Sequence, residues 1–374
     1  MGIGALINRH RKAIMGFAAL YIFLFHEYLR LSPDGSWLGE IMRRPIRWGF
    51  VGVDIFFFLS GIGLTYAIGK TGILKFYYRR LRRVAFPYIV TGVVLAFIQN
   101  WTFSKFIGNV TGFNFFAKTM YSFLWFVTAV VTFYLLFPLY DKIMGKFKNK
   151  VVFTGIVLCI WLLLSMSLES TMAGAGRTEF YGFTNRIPVF VLGVMFGRIT
   201  QEKDIIVSKS GWVLIGLLHV IGLFLAEKTC FSGWRILVPV SNCCIPNILS
   251  GITLVMLLAK LMDLLSRFKV MRAVEKGIGY FGVISLEFYC IQGVVLHFIL
   301  LDRLPAGLAK PLYNLIAFAG TTAMATVLYL AERGFWFLVE LPFRKKKVPV
   351  SQQAPQEVPA ESGEPSEGTP GSEG

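Results

Sequence analysis

The sequence predicts an all-α polytopic membrane protein with about ten transmembrane helices and both termini in the cytoplasm. Three observations carry that reading. Hydrophobic residues fill 55% of the 374 positions and charged residues only 16%, against roughly 25% charged in a soluble domain. Apolar runs of about 18–20 residues recur from Ala13 onward, each long enough for a ~30 Å hydrocarbon core. The Lys and Arg residues, which set a net charge of +17, gather in alternate loops, as they do in membrane proteins. These features exclude a soluble enzyme, a disordered scaffold and a secreted disulfide-rich module. They also explain the basic charge without nucleic acid as a partner.

The apolar runs fall at 13–31, 50–68, 84–100, 121–140, 151–168, 186–197, 211–227, 245–262, 280–300 and 312–338. With a cytoplasmic N-terminus, the inner segments hold 24 of the 38 Lys and Arg residues and the outer loops hold 10. That asymmetry puts both ends inside, which needs an even number of spans. Residues 1–12 then form a short cytoplasmic segment and 13–343 the transmembrane domain. Residues 344–374 form a basic stop, Arg344 to Lys347, followed by an acidic tail. This tail lacks the large apolar residues needed for a core and is expected to be disordered. The first run is expected to remain as a span, because its apolar core is too long for a signal peptide and it carries His26 and Glu27. The sixth begins at Arg186-Ile-Pro188 and is short, which suggests a tilted or re-entrant segment.

Ionisable groups inside spans are costly and therefore candidates for chemistry. His26 lies about 13 residues into the first span, or ~20 Å from its cytoplasmic end. An imidazole there suits a general base for a hydroxyl; paired with Glu27, it equally suits an interfacial His-Glu contact. Asp54 enters the second span, in Gly49-Phe-Val-Gly-Val-Asp-Ile-Phe-Phe-Phe-Leu-Ser-Gly61, at an expected depth similar to that of His26. It could steady the imidazole or cap the outer helix end. Ser60-Gly61 reads as a small-residue packing seam. In Arg79-Arg-Leu-Arg-Arg83, helical spacing puts Arg79, Arg82 and Arg83 on one face. Arginine forks suit phosphate, and a basic run beside a span also sets topology.

The order of these motifs resembles the acyltransferase-3 family of integral membrane O-acyltransferases. The matching stretches are the span ending in His26, residues 49–61 and Arg-Arg-Leu-Arg-Arg-Val-Ala-Phe-Pro-Tyr88. Leu124-Trp125-Phe126 with Tyr134 and Pro138, Arg186-Ile-Pro-Val-Phe-Val-Leu-Gly193 and Ser285-Leu-Glu-Phe-Tyr289 complete the set. The resemblance covers about residues 13–340. It implies transfer of an acyl group, commonly acetyl from cytosolic acetyl-CoA, to a carbohydrate or other hydroxyl acceptor. A cell-surface glycan or its lipid-linked precursor, and a place in the plasma membrane, are the expectations that follow. Carried onto this chain, it makes His26 the catalytic residue, with Asp54 and Glu27 as supporting carboxylates. Arg79, Arg80, Arg82 and Arg83 become the contacts for the CoA phosphates, and Arg186 a weaker polar-site candidate. Two departures stand out: Met15 replaces the Arg that members usually carry eleven residues before the His, and Gln292 stands where a His often follows the Ser285–Tyr289 stretch.

The remaining features read plainly. His10 and His219 are structural, and no His, Cys and carboxylate spacing suggests a metal. Cys230, Cys243 and Cys244 flank one loop and can pair if it faces an oxidising side, although a vicinal pair makes a poor staple. With no soluble domain after the last span, any second transfer step is expected to use another protein or a direct acceptor. A transporter or flippase for a polar substrate is the alternative that ten spans would allow. It lacks the paired related halves that mark many such proteins.

Overall fold

The computed structural model describes residues 1–31, 41, 43, 45–70, 72–118, 124–172, 178–232, 244–295 and 310–343. Among these the chain is helical, without strands. The main helices are α1 (Ile3–Leu31), α2 (Val51–Ile68), α3 (Ile73–Ile98), α4 (Phe103–Val110), α5 (Trp125–Gly145) and α6 (Lys150–Met172). They continue as α7 (Thr178–Thr184), α8 (Ile187–Glu202), α9 (Lys209–Ala226), α10 (Cys244–Leu265), α11 (Lys269–Val283), α12 (Ser285–Val294) and α13 (Lys310–Glu340). A compact unit spans Met1–Glu332. A second unit begins at Arg333, and its described part is the end of α13 and the turn Leu341–Phe343.

Seven helices among the described residues are long and apolar enough to cross a membrane, and an eighth crossing results if α11 and α12 count as one span bent by 68°. The chain is a multi-pass membrane protein. Three of the ten expected spans make the difference, and the first of them, in α1, is not among the seven. The sixth lies in α8, whose 16 residues fall short of the ~20 needed for a perpendicular crossing. The ninth is divided at Ile284, and its first part, α11, begins at Lys269, ahead of the expected start at 280. The acidic tail lies outside the described residues.

The helices of the core approach closely because glycines face backbone. Gly61 of α2 lies against the Phe190 carbonyl of α8, and Gly193 of α8 lies against the Phe58 carbonyl of α2. Gly16 of α1 and Gly282 of α11 meet in the same reciprocal way, over the Ile278 and Lys12 carbonyls. A Cβ at any of the four would strike backbone, which cannot yield as a flexible side chain can. The Ser60-Gly61 seam is thus a true helix contact, of the small-residue kind that drives association where lipid removes the hydrophobic incentive. Phe57, Phe58, Phe133 and Phe190 fill the space beside it, with the last two rings stacked at 4.1 Å.

Polar clasps hold the ends. Buried His10 meets Glu275 of α11 at 2.5 Å through Nδ1, and Arg198 of α8 grips Asp141 of α5 with Nε at 2.8 Å. His219 pairs with Thr253 at 3.1 Å, joining α9 to α10. Cys230 is disulfide-bonded, whereas Cys159 and Cys290 are free thiols. The loop cysteine therefore does act as a staple.

Candidate active site

The basic run folds as one stretch of α3, and its four arginines go to different surroundings. Arg79 is exposed. Arg82 sits 5.9 Å from the Tyr78 ring. Arg80 reaches the Gly63 carbonyl of α2 at 3.5 Å and lies 6.0 Å from the Tyr134 ring. Arg83 turns into the bundle. Its Nη1 donates to Glu287 and, at 2.6 Å, to Glu332; its Nη2 donates to Glu287 at 2.9 Å and to the Val283 carbonyl at 3.2 Å. The last contact satisfies a carbonyl at the C-terminal end of α11, where the helical ladder stops. Arg83 is therefore the tie that holds the α11–α12 break against α3, and its Nη hydrogens are occupied. This differs from the expectation that all four forks are open to phosphate.

A further arginine joins them. In α1 the buried stripe runs Ile3, Ile7, Ile14, Ala18, Ile22, with Arg11 in the gap between Ile7 and Ile14. Its Nη2 donates to the Leu59 carbonyl of α2 at 2.7 Å, and Arg80 and Tyr134 are its electrostatic neighbours. Neither Arg11 nor Arg80 has a carboxylate partner among the described residues. Two guanidinium groups of like charge thus share a half-buried place with only carbonyls and rings as company.

Above this basic end lies a cavity of about 160 Å³ between α1, α2, α3, α5, α11 and α12. Arg83 and Tyr134 border one end, Ile22 and Val53 reach toward the His26 end, and Ser60, Ser285 and Phe126 form part of the wall. The broken helix contributes Gly282, Val283, Ser285 and Tyr289. The break at Ile284 is what opens this wall, since a continuous helix would present side chains there at regular spacing.

At the other end Asp54 is fully buried in the first turn of α2, packed against Gly251 of α10. Its ionic partner is Arg186, with Nε 3.5 Å from Oδ1. Arg186 caps the start of α8, donates to the Gly182 carbonyl at 2.8 Å and lies 5.5 Å from the Trp125 ring. Among the described residues, neither carboxylate oxygen of Asp54 and neither amide atom of buried Asn247, one turn before Gly251, has a hydrogen-bond partner. His26 is exposed at the end of α1, its ring 5.5 Å from that of Phe25. The side chain of Glu27 lies outside the described residues.

The register of α1 and α2 corrects one expectation. Gly49 packs on the Tyr21 carbonyl and Phe25, and Gly52 on the Ala18 carbonyl and Ile22. The helices run antiparallel, so Asp54 comes level with about Ala18, some eight residues or ~12 Å of helix from His26. Asp54 lies deeper than His26, beside Arg186, because the α1–α2 glycine contacts set the stagger.

The motif positions converge on one bundle, and comparison with known proteins decides what it is. The acyltransferase-3 family pattern, described as an acyltransferase domain, matches residues 13–330. The chain belongs to the acyltransferase-3 family. It is similar to O-acetyltransferase OatA of Staphylococcus aureus, at 26% identity over 256 residues in strains NCTC 8325 / PS 47, COL and MRSA252. The aligned part covers 56% of this chain and 40% of those relatives, so the chain spans about two fifths of the curated proteins it matches. No solved structure matches.

Within this acyltransferase-3 domain, the sequence motifs include Asp54, Arg80, Arg83 and, within Ser285–Tyr289, Glu287, but sequence reasoning did not single out three of their neighbours, Arg11, Glu332 and Asn247. Arg11 was legible as the one charged residue in an otherwise apolar stripe at helical spacing. Glu332 was legible as a lone acid in the last apolar run. Asn247 had no signal, because an amide near a span end carries no charge cost and no motif. Among the described residues no group of three His, Cys, Asp or Glu side chains is placed to hold a metal.

Proposed function

We propose that the chain is a membrane-bound O-acyltransferase. It moves an acyl group, acetyl in the first instance, from cytosolic acyl-CoA to a hydroxyl of a cell-surface carbohydrate or its lipid-linked precursor. The observation that carries this reading is the cavity, which runs from Arg83 and Tyr134, with Arg11 and Arg80 beside that tyrosine and without a carboxylate partner among the described residues, to Ile22, one turn before His26. Arg11 and Arg80 suit the phosphates of a CoA donor, since a pair of uncompensated guanidinium groups favours a multiply charged anion. Arg79 and Arg82 add charge along the approach. The mostly apolar wall suits the uncharged arm that carries the thioester. His26, exposed at the far end, takes the proton of the attacking hydroxyl or carries the acyl group for one step. Asp54 and Arg186 then act from below, on the site's field and not by touching the imidazole.

The family membership favours this reading over transport. The same proposal takes the domain to lie in the plasma membrane with both termini cytoplasmic and about ten crossings. The loop-charge asymmetry supports that orientation, and so does a disulfide at Cys230 in a loop assigned to the outer, oxidising side. The deciding experiment is transfer of label from radioactive acetyl-CoA to acceptor or water by membranes holding the protein. Absence of both activities, with the protein folded and inserted, would reject the enzyme. Orientation is checked with single cysteines: positions 36 and 178 should react with an impermeant thiol reagent in intact cells, and positions 148 and 366 should not.

A further inference from the structure

The break at Ile284 leaves a helix start deep inside the bundle. Gly282 packs between Lys12 and Gly16 of α1, and the Phe288 ring lies 5.5 Å from that of Phe23. Ser285, between them, is therefore level with about Ala18, midway along α1. No side chain caps α12. Among the described residues the N–H groups of Ser285, Leu286 and Glu287 have no acceptor, and the first bond of the helix runs from the Phe288 N–H to the Ile284 carbonyl. Unmet backbone donors at membrane depth are costly and are tolerated where they line a cavity that holds something polar. These donors adjoin one, for Ser285 and Leu286 form part of the wall described above.

The Ser285 hydroxyl points the same way independently. Ser285 is only 8% exposed, lines the cavity and has no side-chain hydrogen bond among the described residues. Hydroxyls elsewhere in the bundle, such as those of Thr132, Thr200, Ser250 and Thr253, return to a carbonyl one turn back. Ser285 cannot follow them, because the carbonyl four residues earlier, that of Phe281, belongs to α11 on the far side of the 68° bend. What gathers at this wall is a set of donors, and its complement is an oxygen acceptor. A helix start can also take a free anion. Here Glu287 stands in the same turn and joins Glu332 on Arg83, so a further negative charge is disfavoured and a neutral carbonyl fits better.

We propose that the start of α12, with the Ser285 hydroxyl, holds an amide carbonyl of the donor's pantetheine arm. The proposal rests on the acyl-CoA reading above and deepens it, by naming the residues that fix the arm between its phosphates and its sulfur. The phosphates are assigned to Arg11 and Arg80, and Arg11 stands about seven residues or ~10 Å along α1 from the level of Ser285. An extended arm reaches that far at its second amide, the one nearer the sulfur. The thioester then lies beyond Ser285, toward Ile22 and the end that bears His26. Ser285 acts on the reaction by setting this register, and takes no part in bond making.

The test compares binding of acetyl-CoA with that of adenosine 3′,5′-bisphosphate, which has no arm, to the full chain in detergent. Ser285→Ala should weaken acetyl-CoA binding by about three- to tenfold, the range for one neutral hydrogen bond, and leave the arm-free nucleotide unchanged. Ser285→Thr keeps the hydroxyl and should recover most of the loss. Equal loss for both ligands, or loss for neither, overturns the proposal. Should Ser285→Ala fail to fold, the unaltered protein still decides the matter through acetyl-CoA labelled with carbon-13 at the amide carbonyl nearer the sulfur. In difference infrared spectra, a bound amide band at or below its position in water supports the proposal. A shift to higher wavenumber, as for a carbonyl in apolar surroundings, overturns it. If the unaltered protein does not bind acetyl-CoA at all, the donor reading itself falls and this proposal with it.

Discussion

Arg83 and Arg186 both meet carboxylates inside the bundle, yet they hold them differently. Arg83 uses its Nη hydrogens on two glutamates and a backbone carbonyl. Arg186 stands 3.5 Å from Asp54, whose two carboxylate oxygens have no hydrogen bond among the described residues. The reason lies in what each arginine must also do. Arg83 covers a helix end exposed by the break at Ile284, so tight geometry is rewarded there. Arg186 is already bound to the Gly182 carbonyl and lies over the Trp125 ring, and it presents Nε to Asp54. A buried charge network that is fully paired rigidifies a fold, whereas a partly paired one keeps capacity for a ligand or a proton. The first region therefore reads as framework, and the second as a site held ready for chemistry.

The sharpest test of that contrast is at the exposed end. His26→Gln should lower acyl transfer by about 10²–10⁴-fold, while insertion and thermal stability in detergent stay unchanged, because the imidazole is at the surface. Near-normal transfer by this variant would move the chemistry to another residue. Next in size, Glu287→Ala should destabilise the domain by about 3–5 kcal/mol, since it strips the main counter-charge from Arg83. Thermal unfolding of purified protein measures this, and an unchanged midpoint would show that the clamp is not framework. Arg11→Gln should weaken CoA binding by about 1.5–3 kcal/mol, the range for a charge-assisted hydrogen bond. Its effect on a phosphate-free pantetheine thioester should be slight, and equal loss for both donors would remove Arg11 from phosphate binding. The smallest shift belongs to Asp54→Asn, which should slow transfer with a stability change well below that of Glu287→Ala. If the two variants unfold alike, the distinction between the regions fails.

These outcomes bear on residues of unequal visibility. Asp54 and Arg83 announce themselves as charges in or beside apolar runs, and their motifs are specific enough to place the chain in its family. Arg11 was hidden among Arg9 and Lys12, where a basic segment is expected for topology alone; only its place in the stripe of Ile7 and Ile14 distinguishes it. The pairing of Asp54 with Arg186, and not with His26, was out of reach because depth depends on stagger.

By itself the amino-acid sequence determined that this protein is helical, crosses a membrane several times and carries the acyltransferase-3 motifs. Those properties follow from composition, run length and local spacing, which need no knowledge of neighbours. Tertiary structure alone decided which arginine meets which acid, since a contact such as Arg83–Glu332 joins positions 249 residues apart. It also decided that Ser285 begins a new helix at a 68° bend, opening the cavity wall. Helix register and breakage depend on how glycines such as Gly16 and Gly282 seat one backbone against another, and a single chain read in order does not contain that pairing.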